Sequence, residues 1–217
     1  MLFDMDPATL IASIVVLLVA FPIHEFAHAW TATQFGDPTP EQHGRLTLNP
    51  LAHLDLMGSL MLLVAHFGWA KPVPVNPYLL RRNTPSALMW VSLAGPMSNF
   101  LMAILAAIPF RMGLVSVSRG FAGTDGILPS LDMIMVWFVF INLGLMLFNL
   151  IPLAPLDGDK ILEYFLPPNM ARSFETIRPY GPLILLALIL LGNVAGINVI
   201  GSVIGPPMNL LFRLLVG

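Results

Sequence analysis

A histidine pair inside an apolar segment carries the most chemical information in this sequence. His24 and His28 stand four residues apart in the run His-Glu-Phe-Ala-His. On a helix this spacing places both side chains on one face, so their ring nitrogens can bind the same metal ion. Glu25, beside the first histidine, is then within reach of a water that the metal activates, and it can act as the general base for that water. The pattern predicts a hydrolytic metal centre.

A catalytic zinc ion needs a third protein ligand and keeps a fourth position open. The chain has no cysteine, so the third ligand must be a histidine or a carboxylate. Asp157 is the favoured residue, because it follows a long apolar segment and because Gly158 lets the backbone turn without a side-chain clash. Such a site would hold one Zn²⁺ per chain. The full set of candidates is His43, His53, Asp55, His66, Asp157 and Asp159.

The composition is that of a membrane protein. Of the 217 residues, 57% are hydrophobic and only 10% are charged. A soluble domain with so few charges would struggle to cover its surface, whereas a lipid bilayer removes that need. The net charge of −2 argues against a nucleic-acid partner, which requires a strongly basic surface. The first six residues include two acids and no basic residue, so we expect no cleaved signal peptide.

Long apolar segments must position these groups. Residues 8–32, 86–110 and 131–153 are each long enough to span a bilayer, which takes roughly 20 residues. Residues 182–216 are apolar but divided by glycines, so they predict either a helical hairpin or one span with a surface helix. We therefore expect an all-α polytopic protein with about four to six transmembrane helices. Residues 1–217 would form one domain, with a catalytic core at about 8–162 and a C-terminal hairpin at about 180–216.

A shorter element lies between the first two full spans. Residues 56–69 would form about 21 Å of helix, which is less than the roughly 30 Å hydrocarbon core, so they predict a re-entrant or partly inserted element. Pro72 and Pro74 exclude a helix in the next stretch and favour an extended or edge-strand segment over 69–76. An unwound substrate could add to this edge by β-pairing at Val73 and Val75.

The distribution of basic residues predicts an orientation. If residues 56–69 are re-entrant, seven basic residues fall on one side of the membrane, and only Arg111 and Arg119 fall on the other. The positive-inside rule then makes the first side cytoplasmic. The same arrangement brings His24, His28 and Asp157 to one face, so we expect an active site near the cytoplasmic face of the cell membrane. The seven residues are Arg45, Lys71, Arg81, Arg82, Lys160, Arg172 and Arg178.

Asparagines in the later spans allow two interpretations. Asn99 follows a Gly-Pro pair in the segment 86–110 and either packs helices together or binds substrate. Asn142 and Asn149 are seven residues apart and share a helix face, which favours a seam of hydrogen bonds between helices.

Three sequence elements together resemble the site-2 protease family, the intramembrane zinc metalloproteases of peptidase family M50. They are His24-Glu-Phe-Ala-His28, Ala94-Gly-Pro-Met-Ser-Asn99 and Leu156-Asp157-Gly158. The resemblance covers roughly residues 10–162. It implies that His24, His28 and Asp157 bind zinc and that Glu25 is the catalytic base. Asn149 matches a family asparagine that would help to hold the substrate or the oxyanion.

The resemblance also implies a substrate class. Members of this family cut membrane proteins within or beside the bilayer, so the expected substrates are single-span membrane proteins, already shortened by another protease. Many relatives carry a PDZ domain that filters substrates, and none fits in this sequence. The chain therefore resembles a compact form of the family whose substrate control lies with an upstream protease or a regulatory partner.

Two other functions remain as alternatives. A divalent-metal transporter would use the histidine and aspartate cluster as a transit site, and a non-catalytic protein would only hold membrane partners. A transporter would be expected to carry ionisable residues in several spans and often an internal repeat, whereas this sequence has one compact cluster and no repeat. The intact Glu25 disfavours the non-catalytic alternative.

Overall fold

The described part of the chain folds into helices joined by turns and irregular stretches. A computed structural model describes residues 6–55, 58, 71–123, 126–196 and 198–217. Within these ranges the secondary structure is helical, with an isolated bridge at Leu54 and no strand. The helices are α1 (Pro7–Gln34), α2 (Thr39–Gln42), α3 (Pro50–His53), α4 (Pro77–Asn83), α5 (Ala87–Arg111), α6 (Val117–Phe121), α7 (Leu131–Asn149), α8 (Gly158–Phe165), α9 (Pro168–Ile177), α10 (Gly181–Ala195) and α11 (Val199–Val216).

Five helical stretches of the described chain are long and apolar enough to cross a bilayer. They are α1, α5, α7, α11 and the continuous stretch Pro168–Gly192, which joins α9 to α10 through a short 3-10 turn. The predicted all-α polytopic membrane fold is therefore confirmed. The predicted span 131–153 ends earlier than expected, because α7 stops at Asn149. Pro152 lacks the N–H that a further helical turn would need.

The first helix carries the histidine pair and is the longest element. Its 28 residues span about 42 Å, more than the roughly 30 Å of hydrocarbon. Asp6 caps its first turn, since one carboxylate oxygen accepts from the Thr9 N–H at 2.9 Å and the other from the Thr9 hydroxyl at 2.6 Å. Pro7 follows at the first helical position, where its missing N–H costs nothing.

Helices α1, α5 and α7 pack together and form the centre of the molecule. Small buried residues line the contacts, so the helix axes can approach closely as in other membrane bundles. Helix α11 packs against α5 and α7 around the buried Leu143 and Met208. The small buried residues of α1 and α5 include Ala12, Ala20, Ala29, Ala103 and Ala107.

A tight turn after α7 carries the predicted third metal ligand. Residues 150–157 leave the helix, and α8 begins at Gly158 directly after Asp157. A Cβ atom at Gly158 would come within 2.6 Å of the backbone of Ile151 and would also strike the Leu150 carbonyl oxygen. Only glycine fits this close approach of two backbone segments, which confirms the need for glycine after the aspartate.

The segment between the first two long helices is described only in part. Apart from Gly58, residues 56–69 lie outside the described residues, so the predicted re-entrant element stays a prediction. The same is true of the first two residues of the predicted extended or edge-strand segment 69–76. Residues 71–76, hereafter the 71–76 segment, have no regular secondary structure. The division of the chain into a catalytic core and a C-terminal hairpin also stays a prediction.

Candidate active site

Three side chains from distant parts of the sequence converge between α1 and the turn before α8. The Nε2 atoms of His24 and His28 lie 3.0 Å apart. Asp157 faces both, with Oδ2 3.3 Å from Nε2 of His24 and Oδ1 3.3 Å from Nε2 of His28. Within the described part of the chain, these residues form a group of histidine and carboxylate ligands that could hold a metal ion.

The spacing of these donor atoms fits a zinc ion. Ligands at 2.0–2.2 Å from a tetrahedral metal lie roughly 3.4 Å from each other, close to the 3.0–3.3 Å distances found between these atoms. Oδ2 of Asp157 is buried and has no hydrogen-bond partner, which is costly for a carboxylate oxygen unless it binds a cation.

Helix α5 leaves room for the two imidazoles by placing a glycine against them. A Cβ atom at Gly95 would come within 2.6 Å of ring atoms of both His24 and His28. No real side chain tolerates such contacts, so any larger residue would push the rings out of position. Gly95 of the second sequence element therefore shapes the candidate metal site directly.

A chain of hydrogen bonds behind the site fixes the protonation of His24. The Phe138 carbonyl accepts from Nδ2 of Asn142 at 2.9 Å, so Oδ1 of Asn142 accepts from Nδ2 of Asn99, also at 2.9 Å. Oδ1 of Asn99 is then the acceptor for Nδ1 of His24 at 2.6 Å. Because a carbonyl can only accept, every donor in the chain is determined. His24 carries its proton on Nδ1 and presents the Nε2 lone pair to the site.

His28 is oriented by the backbone of the neighbouring helix. Its Nδ1 lies 2.7 Å from the Val91 carbonyl oxygen in α5, which likewise places the proton on Nδ1. Both histidines are buried. Both lone pairs therefore point to the same place, as a histidine ligand set requires.

Glu25 lies at the edge of this group and is held by the 71–76 segment. Its side chain is buried, and Oε2 accepts a hydrogen bond from the backbone N–H of Val73 at 3.2 Å. Glu25 lines the same cavity as His24, His28 and Asp157. A carboxylate placed in this way can exchange a proton with a molecule that enters the cavity.

The cavity itself is large and mostly apolar. It has a volume of about 580 Å³, enough for several side chains of a peptide. Asn149 lies on its wall, and Nδ2 of Asn149 donates to the Leu145 carbonyl of its own helix at 3.0 Å. Val73 and Val75 also line it. The apolar part of the wall includes Phe21, Leu88, Val91, Leu145, Phe148 and Leu185.

Asn99, for which substrate binding was one of two predicted roles, lies outside the cavity. Its side chain is fully buried. The amide oxygen is hydrogen-bonded to His24, and the amide nitrogen is hydrogen-bonded to Asn142. Substrate binding by Asn99 stays a prediction, and the contacts observed match its other predicted role, which is to join helices. The predicted seam between helices is half right, since Asn142 bonds across helices whereas Asn149 bonds within α7.

The reserve candidates for the third ligand lie elsewhere or have other partners. His43 is exposed and faces the Thr39 carbonyl, and His53 is buried with Nε2 2.8 Å from the Thr47 carbonyl. Asp55 accepts from the Gly58 N–H. His66 lies outside the described residues.

Asp159, the nearest rival to Asp157, belongs to an ion-pair cluster beside the cavity. It is buried, with Oδ2 2.6 Å from Nζ of Lys160 and 3.0 Å from Nε of Arg178. Arg178 also pairs with Glu163, which in turn contacts Arg81. These bonds tie α8 to the 3-10 turn between α9 and α10 and also to α4, and thereby brace the turn that carries Asp157.

The Val73 bond to Glu25 and the Asn142–Asn99 chain were not apparent from the sequence. A backbone donor has no sequence signature, and the partners in the asparagine chain are 43 and 75 residues apart. The spacing of Asn142 and Asn149 was a partial signal for the chain. It placed Asn142 on an interior helix face but could not name its partner.

Comparison with known proteins gives a consistent set of relatives. The family model of peptidase family M50 matches residues 112–191. A Bacillus subtilis protein named "Putative zinc metalloprotease YwhC" is 41% identical over 175 residues, which are 81% of this chain and 78% of that protein. No solved structure matches the chain.

Two mycobacterial proteins are also similar, and both are named "Putative zinc metalloprotease Rip2". The Mycolicibacterium smegmatis protein is 32% identical over 176 residues, and the Mycobacterium tuberculosis H37Rv protein is 32% identical over 185 residues. The aligned regions are 80% and 82% of this chain, and 64% and 66% of the two relatives. This chain therefore spans slightly less than two thirds of their length.

Proposed function

Because the chain belongs to peptidase family M50, the site-2 protease family of zinc metalloproteases, we propose that it is an intramembrane endopeptidase. It hydrolyses peptide bonds of membrane-protein substrates within or next to the bilayer. The observation that carries this proposal is the convergence of His24, His28 and Asp157 at the wall of a cavity that also contains Glu25. Helix α1, which supplies both histidines, is one of the candidate membrane spans.

The three converging side chains would hold one zinc ion per chain. Nε2 of His24, Nε2 of His28 and the Asp157 carboxylate are the ligands. When bound, zinc acts as a Lewis acid that polarises the scissile carbonyl and makes water a stronger nucleophile near neutral pH. The hydrogen bonds from Asn99 and the Val91 carbonyl keep both imidazoles in the tautomer that binds metal.

Glu25 moves the proton during the reaction. Its carboxylate takes a proton from the attacking water and then delivers it to the nitrogen of the leaving amine. The Val73 N–H holds Oε2 of Glu25 in place during this exchange. Asn149, on the cavity wall, binds the substrate backbone or the oxyanion through its side-chain amide.

The substrate must unwind before it can react. In a transmembrane helix the scissile carbonyl is bonded within the helix, and each unpaired backbone group in lipid costs several kcal/mol. The 71–76 segment beside the cavity can replace some of the lost bonds by pairing with the unwound chain. Val73 already donates to Glu25, so pairing uses Val75 and the carbonyl groups of the segment. The substrates are single-span membrane proteins, shortened first by an upstream protease or selected by a regulatory partner.

The orientation of the enzyme follows from its basic residues. Seven of them flank the histidine and aspartate face in the predicted topology, whereas Arg111 and Arg119 lie toward the other face. The active site then faces the cytoplasmic side of the cell membrane.

Replacing Glu25 with glutamine tests the proposed function. The amide cannot accept the proton, so the Glu25→Gln protein should retain zinc and lose cleavage. The assay uses a transmembrane peptide that carries a fluorophore and a quencher on opposite sides of the scissile region. In native membranes the same variant should hold uncut substrates, which a pull-down would identify. Cleavage by the Glu25→Gln protein at the wild-type rate would contradict the proposal. Zinc flux into vesicles that contain the wild-type protein, and equal flux into vesicles that contain the variant, would favour a transporter instead.

A further inference from the structure

A buried acid outside the metal site has no role in the reaction described so far. Asp37 lies three residues beyond the last residue of α1 and has no exposed surface. A carboxylate without contact with water is costly unless hydrogen bonds satisfy its oxygens. Oδ1 of Asp37 accepts from the N–H of Thr39 at 3.0 Å and from its hydroxyl at 2.6 Å. Oδ2 reaches into another part of the chain.

That second oxygen accepts from the backbone N–H of Asn76 at 2.6 Å. Asn76 is the last residue of the 71–76 segment and also the cap of α4, where its Oδ1 accepts from the Leu79 N–H. The bond between Asp37 and Asn76 therefore fixes the point at which the segment enters regular structure. Asparagine at position 37 has one acceptor oxygen, so it cannot serve Thr39 and Asn76 with separate oxygens, and any bond it kept to Asn76 would lose the strength that the carboxylate charge gives.

The segment is tied at two further points. At its beginning, the Lys71 N–H donates to the His53 carbonyl at 2.8 Å. In the middle, the Val73 N–H donates to Oε2 of Glu25. Val75 packs against a buried apolar cluster that includes Ala32 and Leu88. Because the segment forms no helix or strand, these contacts replace the backbone ladder that would otherwise determine where the Val73 N–H points.

We propose that Asp37 is a positioning residue for the catalytic base: through its bond to Asn76 it anchors the 71–76 segment so that the Val73 N–H holds the Glu25 carboxylate. This inference rests on the proposed function, because it assigns Asp37 an effect on the base of that reaction. Asp37 does not touch the substrate. Its influence passes through the two residues of backbone between Asn76 and Val73.

The cysteine-free sequence allows the anchoring to be measured without any catalysis. In the full-length, zinc-loaded protein in detergent, Val75→Cys introduces a single thiol into the half-buried part of the segment. Adding Asp37→Asn should raise the rate of maleimide labelling at this thiol by about tenfold, the effect of losing one hydrogen bond to a charged group. Glu41→Gln, which removes the charge of an exposed neighbour, should leave the labelling rate unchanged. A thiol at Ser118, on the exposed face of α6, should label equally in all backgrounds.

The catalytic consequence is measured with the fluorophore and quencher peptide. Asp37→Asn should lower kcat by about tenfold while KM and the zinc content per chain stay at wild-type values. Val73→Pro removes the N–H itself, whereas Val73→Ala keeps it. The kcat of Val73→Pro should therefore be about tenfold lower than that of Val73→Ala. If Asp37 acts through this N–H, adding Asp37→Asn to Val73→Pro should cost nothing further.

Several results would overturn the proposal. The first is a wild-type labelling rate at position 75 in the Asp37→Asn background. The second is an additive loss of kcat when Asp37→Asn and Val73→Pro are combined. The third is a parallel loss of zinc and activity in Asp37→Asn, which would indicate a general structural role. If Asp37→Asn does not fold, equal kcat values for Val73→Pro and Val73→Ala would overturn the proposal, and a tenfold difference between them would support it. A wild-type protein that cleaves no transmembrane peptide would remove the proposed function and the catalytic part of this inference. The labelling rates would still decide whether Asp37 anchors the segment.

Discussion

The metal site and the 71–76 segment meet at Glu25 but are held in different ways. The ligands His24 and His28 lie on a long helix, and helices α5 and α7 fix their tautomers through buried hydrogen bonds. The 71–76 segment has no regular structure and depends on single bonds at Lys71, Val73 and Asn76. A rigid frame suits metal ligands, which need fixed geometry. An irregular segment leaves backbone groups available for a peptide substrate.

This contrast predicts that changes in the helical frame, which is formed by α1, α5, α7 and the turn that carries Asp157, alter zinc binding. Changes in the 71–76 segment should alter cleavage alone. The largest effect should come from Asp157→Ala, which removes one of three ligands and leaves a buried cavity opposite two histidines. Zinc should fall from one ion per chain to none, and cleavage should fall to below about a thousandth of the wild-type rate. Glu175→Gln, at an exposed position on α9, serves as the control for loss of a carboxylate. Metal analysis of the two purified proteins checks the prediction.

Gly95→Ala should have the next largest effect. The new methyl group would collide with both imidazoles, so we expect zinc affinity to fall by about a hundredfold, the upper range for disturbed support of metal ligands. Gly144→Ala is the matched control, because a Cβ atom there meets only the Met208 methyl group at 3.8 Å. Competition with a chelator gives both affinities. Equal affinities for the two variants would show that α5 does not shape the site.

Asn99→Ala should weaken zinc binding less. The variant removes the acceptor for Nδ1 of His24 and so loosens the ring, which should lower zinc affinity by about tenfold. Asn142→Ala should have a smaller effect in the same direction, because it disturbs only the second bond of the chain. The same chelator titration measures both. A stronger effect at Asn142 than at Asn99 would contradict the order of the chain.

Val75→Pro probes the other region and should give the smallest effect. Proline removes the remaining N–H of the cavity-lining part of the segment, which weakens pairing with an unwound substrate. We expect KM for the transmembrane peptide to rise about fivefold relative to Val75→Ala, with zinc content unchanged. A loss of zinc in Val75→Pro would show that the segment supports the metal ligands as well, and the contrast between the two regions would fail.

Much of the helical frame could be predicted from local patterns. The spacing of His24 and His28, the apolar segments and the Asp157-Gly158 pair are all local signals, and the structure brings His24, His28 and Asp157 together. The end of α7 was placed four residues too late, because an apolar run continues past the residue where proline ends the helix. Local periodicity shows which face of a helix is buried and says little about where the helix stops.

The contacts that join the two regions could not be predicted. Asn99 has the same sequence features whether it packs helices, binds substrate or orients a histidine, and only its partner across the bundle distinguishes these roles. Asp37 lies in a polar, turn-rich stretch and gave no sign of being buried. Its partner is a backbone N–H 39 residues away, and backbone donors are present at nearly every position of every sequence.

The central claim is that two imidazoles from α1 and one carboxylate from the turn after α7 close on a single metal ion. X-ray absorption at the zinc edge of the purified, full-length protein tests this claim most directly. We predict one zinc ion per chain with two imidazole nitrogens and at least one oxygen ligand, and a spectrum that loses the imidazole signature when His24 and His28 are both replaced by alanine. A stoichiometric zinc ion whose spectrum is unchanged in that double variant would contradict the account.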